Sequence, residues 1–125
     1  MTLAKLSTLL VVDAIEPCLP TWQALGYTVT VRVPEAGPAA FSILNGTAGE
    51  LMLQTRASLA EDLPAVADKN PTHLLYADVP SLADAARSLG NATVLVQQRK
   101  TFYGAHEIWF LLEGGMILGL AEHAG

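Results

Sequence analysis

His73, His106 and Glu107 are the side chains of this chain best suited to chemistry, and Tyr103 and Trp109 flank the last two in sequence. An imidazole handles protons near neutral pH and can bind a divalent metal. A carboxylate accepts hydrogen bonds from a cationic or hydroxylated molecule. Indole and phenol rings offer broad flat surfaces with one polar edge. Such a set suits either acid–base chemistry on a small molecule or simple recognition of one. His106 and Glu107 are neighbours in an extended run, so they face opposite ways and only one can serve a given site. Trp109 shares the face of Glu107. Each residue also has a plainer role: His73 as a hydrogen-bonded strand-end histidine, Glu107 as an exposed edge charge, Trp109 as core beneath a helix, Phe102 and Tyr103 as loop anchors.

Several other chemistries lack their residues. No serine lies in a Gly-x-Ser-x-Gly setting, and no glycine-rich phosphate loop is present. Cys18 is the single cysteine, which rules out an internal disulfide or a cysteine-rich metal knuckle and suits a reducing compartment. The net charge of −5, with Lys and Arg scattered, provides no basic stripe for a phosphate backbone, so nucleic acid is not expected as a partner. No segment reaches the roughly 18 apolar residues of a membrane span. The opening MTLAKLSTLLVVDAIEPC carries Asp13 where a secretory signal would still be apolar, so it reads as a first strand and the protein as cytoplasmic.

The elements that position these residues occur twice. Residues 9–26 read LLVVDAIEPCLPTWQALG and residues 74–90 read LLYADVPSLADAARSLG. Each is an apolar run, an Asp, a proline break, a helix-like stretch and a Leu-Gly, and each leads into a β-branched run. The copies lie about 65 residues apart, Asp13 against Asp78. That spacing is too long and the copies too few for a solenoid or propeller. In the first copy we expect strands at 6–12, 27–33, 39–44 and 50–56. A helix follows Pro17 and Pro20 and is closed by Gly26, with a hairpin turn at Asn45-Gly46. Ser58 should cap a short linker helix, with Glu61 completing a capping box. In the second copy strands fall at 73–79, 93–99, 105–112 and 116–121. Ser81 caps a helix over 82–89 that Gly90 closes, and Glu113-Gly114-Gly115 forms a tight turn. The plan is α+β: two βαβββ modules forming a curved, antiparallel-rich sheet trough with helices outside and a groove within. One domain covers residues 1–125, with module one at about 1–56, a linker at 57–71 and module two at about 72–124.

This organisation resembles the vicinal oxygen chelate superfamily, which holds glyoxalase I, extradiol dioxygenases and bleomycin-resistance proteins. The local match is Phe102-Tyr103-Gly104-Ala105-His106-Glu107-Ile108-Trp109 running into Gly115-Met116-Ile117-Leu118-Gly119-Leu120. The opening strand, Asp13, Trp22 and Leu25-Gly26-Tyr27 agree with it. Metal-dependent members of that superfamily hold a divalent ion on His, Gln or Glu side chains from the first and last strand of each module. Counting from Asp13, Asp78, Gly49 and Gly115 puts those four slots at Leu6, Pro71, Leu53 and Gly119, none of which can bind a metal through its side chain. His73 lies two residues past the Pro71 slot, on the groove face by strand parity. Gln54 lies one past the Leu53 slot, on the opposite face, and a one-residue gap in the count reverses both assignments.

The resemblance therefore implies a metal-free, bleomycin-resistance-like protein that sequesters a small aromatic or drug-like molecule in the groove. The expected ligand-binding residues are His73, Tyr103, Glu107, Trp109 and Leu53, with no cofactor. The rival expectation is a glyoxalase-like lyase or isomerase, or a dioxygenase, with one relocated divalent metal ion or with His73 as catalytic acid–base. Trp22 reads as core or interface. A homodimer is expected because small open sheets leave edges to be covered.

Overall fold

The computed structural model describes residues 2–101 and 104–123. It contains eight strands and four α-helices that group into two compact units. The first spans Ser7–His73. The second joins Leu74 onward to the chain start up to Leu6. We call them module one and module two.

Module one begins with β1 (Lys5–Val12), whose β-branched and leucine content favours an extended chain. A 3₁₀ turn at Glu16–Cys18 leads into α1 (Leu19–Ala24), with Pro20 in its first turn, where a missing N–H costs nothing. Gly26 (φ +96°) ends the helix. Strands β2 (Thr28–Val33), β3 (Phe41–Gly46) and β4 (Gly49–Thr55) follow. The strand order is β2-β3-β4-β1, with β4 parallel to β1 and the other pairs antiparallel. One face packs on α1: Ile15, Leu44, Leu51 and Leu53 are buried with Leu19 and Trp22 against them. Trp22 meets Tyr27 edge-on at 5.6 Å, so it belongs to this core.

Two local details depart from expectation. Asn45 and Gly46 are strand residues, paired with Glu50 and Gly49, and the two-residue turn is Thr47-Ala48. Asn45 is held in the strand by its side-chain amide, which donates to Thr30 Oγ1 at 2.6 Å. The linker helix α2 (Arg56–Asp62) is capped by Thr55, not Ser58: Thr55 is extended, and its hydroxyl accepts from the Ser58 N–H at 3.1 Å. A one-turn helix, α3 (Pro64–Ala67), follows, and Leu59, Leu63 and Val66 bury this pair.

Module two repeats the plan with β5 (His73–Asp78), α4 (Leu82–Leu89), β6 (Thr93–Lys100), β7 (Ala105–Leu111) and β8 (Ile117–His123). Its order is β5-β8-β7-β6, with β8 parallel to β5. Leu82 and Ala85 of α4 seal Ala77, Val79, Ile108, Phe110 and Leu120 on one face. Ser81 Oγ accepts from the Asp84 N–H at 3.2 Å, and the Glu122 carboxylate accepts from the Leu82 N–H at 2.7 Å, so two otherwise orphaned donors of α4 are satisfied. Among the described residues no helix is long and apolar enough to cross a membrane.

Glu16 ties down the turn that follows β2. It accepts from the Ala39 N–H at 2.8 Å and from Arg32 at 2.9 Å, while Arg32 also reaches the Pro34 and Gly37 carbonyls. The Ala39 N–H, helped by the Arg32 charge, holds the Glu16 carboxyl below its ordinary range. A depressed folded-state value means this anchor is present above the ordinary carboxylate range and fades as pH falls through the depressed one. The stability gap between wild type and Glu16→Gln, read from urea melts, should therefore be largest near neutral pH and close in acid. Replacing the α4 cap, Ser81→Ala, should cost about 1 kcal/mol in the same assay.

Candidate functional site

The helix-free face of module two is built by strand alternation. Ile108 and Phe110 point towards α4, so Glu107 and Trp109 point the other way. Across that face the register aligns Tyr76, Gly119, Trp109 and Val96 in one row. Beside it lies the row Asp78, Ala121, Glu107 and Arg99. Gly119 is required here. A Cβ at that position would stand 2.7 Å from the Trp109 ring, because the indole lies flat over the glycine.

Glu107 is 1% exposed, and a buried carboxylate is costly unless donors surround it. The Trp109 indole N–H donates to Oε1 at 3.0 Å, Arg99 donates to the same oxygen at 3.1 Å, and the Tyr76 hydroxyl donates to Oε2. The Tyr76 ring lies 5.8 Å from Trp109, tilted by 39°. Glu107 thus fixes an indole, a phenol and a guanidinium around one carboxylate. Tyr76 and Arg99 remain half-buried while Glu107 and Trp109 are enclosed. Below this cluster His123 Nε2 lies 3.0 Å from Asp78 Oδ1.

Of the residues expected to bind ligand, Glu107 and Trp109 are brought together. His73 is not with them by parity. It opens β5 exposed, its ring 3.2 Å from the Thr72 hydroxyl, and it alternates with Leu75 and Ala77, the latter packed under α4. The count misplaced it because the Pro71 slot and His73 both stand an odd number of residues before Asp78, which is on the helix-free face, so their parity is that of Ala77 under α4. Leu53 is also corrected. It is 0% exposed in the core beneath α1, so the opposite face of β4 carries Glu50, Met52 and Gln54. Tyr103 lies outside the described residues. Tyr76 and Arg99 were not anticipated. Tyr76 had a weak signal, two residues before Asp78 in a period-two strand. Arg99 had none, because β6 slips register between Val94 and Val96 and again between Val96 and Arg99.

The paired registers also re-index the slots. Val11, two before Asp13, pairs with Gln54, as Tyr76, two before Asp78, pairs with Gly119. The counterpart of Gly119 is therefore Gln54, one residue beyond the slot counted from Gly49.

The chain matches a glyoxalase/bleomycin resistance protein/dioxygenase superfamily member from Vibrio splendidus 12B01, with a TM-score of 0.71 and 13% identity over 97% of this chain and 99% of that one. This is the vicinal oxygen chelate fold. A methylmalonyl-CoA epimerase from Mycobacterium tuberculosis shares it, with a TM-score of 0.68 and 16% identity over 98% of this chain and 90% of that one. So does a hypothetical protein from Bacillus halodurans C-125, with a TM-score of 0.70 and 14% identity over 95% of this chain and 93% of that one. At these identities the likeness is one of fold. No family model matches the sequence, and no curated protein matches it.

The vicinal oxygen chelate fold raises the question of a divalent ion, and the residues present do not fit one. Gly119 has no donor, and the space its side chain would need holds the Trp109 indole. Gln54 offers only a neutral amide oxygen, one weak donor where an ion needs several. Among the described residues no three His, Cys, Asp or Glu side chains converge as an ion would require. Soaking the protein with nickel, zinc, manganese or iron(II) should leave its melting temperature unchanged. Gly119→Ala should be destabilising by about 1–3 kcal/mol through overpacking, with a change in Trp109 near-ultraviolet circular dichroism. Glu107→Ala should cost about 3 kcal/mol, since it strands Arg99 and the indole N–H; equilibrium unfolding measures both variants.

Proposed function

We propose that the protein binds a small, flat, largely aromatic molecule without a metal ion, against the helix-free face of module two. One observation carries this reading: Gly119, the position at which the resemblance puts a metal-binding side chain, is roofed by the Trp109 indole. Trp109 is itself 2% exposed, so what this face offers a ligand is the half-buried rim packed around it, Tyr76 and Arg99. Packing a flat molecule against such a rim needs shape and a few fixed polar edges rather than a reactive group. Tyr76 and Arg99 supply those edges, and their anchoring to Glu107 lowers the entropy lost when a ligand docks. Tyr76 is the contact residue of this reading, with Trp109 behind it as the packed wall. Sequestration of a drug-like molecule, as expected from the resemblance to bleomycin-resistance proteins, follows naturally from such a face.

The test uses Trp22→Phe, which leaves Trp109 as the sole indole. A panel of planar heteroaromatic drugs should include compounds that change Trp109 fluorescence saturably. Tyr76→Leu should weaken their binding by about tenfold, as expected for losing one aromatic edge contact of ~1.4 kcal/mol. A panel with no saturable response and no thermal stabilisation in the wild-type protein would overturn the reading.

A further inference from the structure

The same register that aligns Tyr76, Gly119, Trp109 and Val96 in module two aligns Val11, Gln54, Phe41 and Val33 in module one. The face is again the one turned from the helix, since Leu44, Leu51 and Leu53 take the α1 side. Phe41 stands where Trp109 stands, and Gln54 where Gly119 stands. The row grades from buried Val11, through half-buried Phe41, to Val33 at 42% exposure. In its middle Gln54 is 6% exposed and is the one polar side chain. Its amide nitrogen donates to Ser58 Oγ at 3.0 Å, and among the described residues its amide oxygen accepts no hydrogen bond. Among the described residues no buried side-chain oxygen or nitrogen lacks a partner, so this oxygen reaches the surface of the row, where a donor on a bound molecule can take the place of water. Its orientation is already set, because Ser58 is itself fixed by its N–H to Thr55 Oγ1 at 3.1 Å.

We propose that Gln54 is a ligand-recognition residue of module one. Its amide oxygen accepts from an uncharged O–H or N–H on a flat aromatic molecule whose ring lies on Phe41. This assignment deepens the proposed function and rests on it. The surroundings select the chemistry. Phe41, Val33 and Val11 favour an apolar body, and an acceptor in a row with no charged side chain favours a neutral donor such as a phenol, an indole or an anilide over an anion or ammonium.

Paired probes test it: 4-substituted phenols against their methyl ethers, and indole against N-methylindole, titrated into the full chain. The Gln54 side-chain amide signals in nitrogen–proton spectra are identified by their loss in Gln54→Met. The donor-bearing member of each pair should shift those signals and bind about tenfold more tightly than its methylated partner. In Gln54→Met the two members should bind alike. Equal binding of both members to wild type, or no movement of the Gln54 signals, overturns the assignment while leaving small-molecule binding intact. Failure of every compound to bind wild type, with no thermal stabilisation, overturns both. Should Gln54→Met unfold at the assay temperature, Ser58→Ala identifies the Gln54 signals by perturbation, and the wild-type pairs decide.

Discussion

A carboxylate buried to 1% exposure governs module two. Glu107 cannot sit on an apolar sheet face unless donors converge on it, and the three that do come from three different strands. Tyr76 arrives from β5, Arg99 from β6 and Trp109 from the same strand two residues on. Satisfying one charge therefore fixes strand register, ring orientation and the placement of a guanidinium together. The position of the indole in turn dictates a glycine across the strand. Much of the face is a chain of consequences from that single buried group.

The modules share a register but not a chemistry. Module one repeats the strand order, the parallel first–last pair and the helix on one face. Its matching row is apolar except for Gln54, and β3 begins at Phe41, so no residue of that strand stands at the Glu107 position. A fold made of two similar modules can thus present two unlike surfaces from one backbone plan. Likeness to other proteins of the fold consequently says little about what either face touches.

The repeat, the α+β plan and most element boundaries were legible in the sequence because they rest on local periodicity and capping. The helix at 82–89 with its Ser81 cap is such a case. The site was less legible, and the reasons are specific. Gly49 and Gly115 look equivalent because each opens a closing apolar run, although a two-residue turn precedes one and a 3₁₀ turn ends at the other. That difference of one residue carried the slot from Gln54 to Leu53, and a one-residue error in a strand changes the face. Arg99 was hidden by two register slips, and the stacking of Trp109 over Gly119 is a cross-strand fact that no local pattern encodes.

The roofed glycine also limits how this chain could change. A chelating side chain placed at position 119 meets the indole, so it is blocked while Trp109 remains. Shrinking Trp109 first would leave a void and remove a donor from Glu107. Either step alone is harmful, and only the pair makes room for an ion, which is strong epistasis between directly paired residues. Stepwise mutation therefore has no easy route from this packed indole to a chelating side chain at position 119, and variation at the half-buried rim, Tyr76 or Arg99, takes a donor from Glu107 in turn.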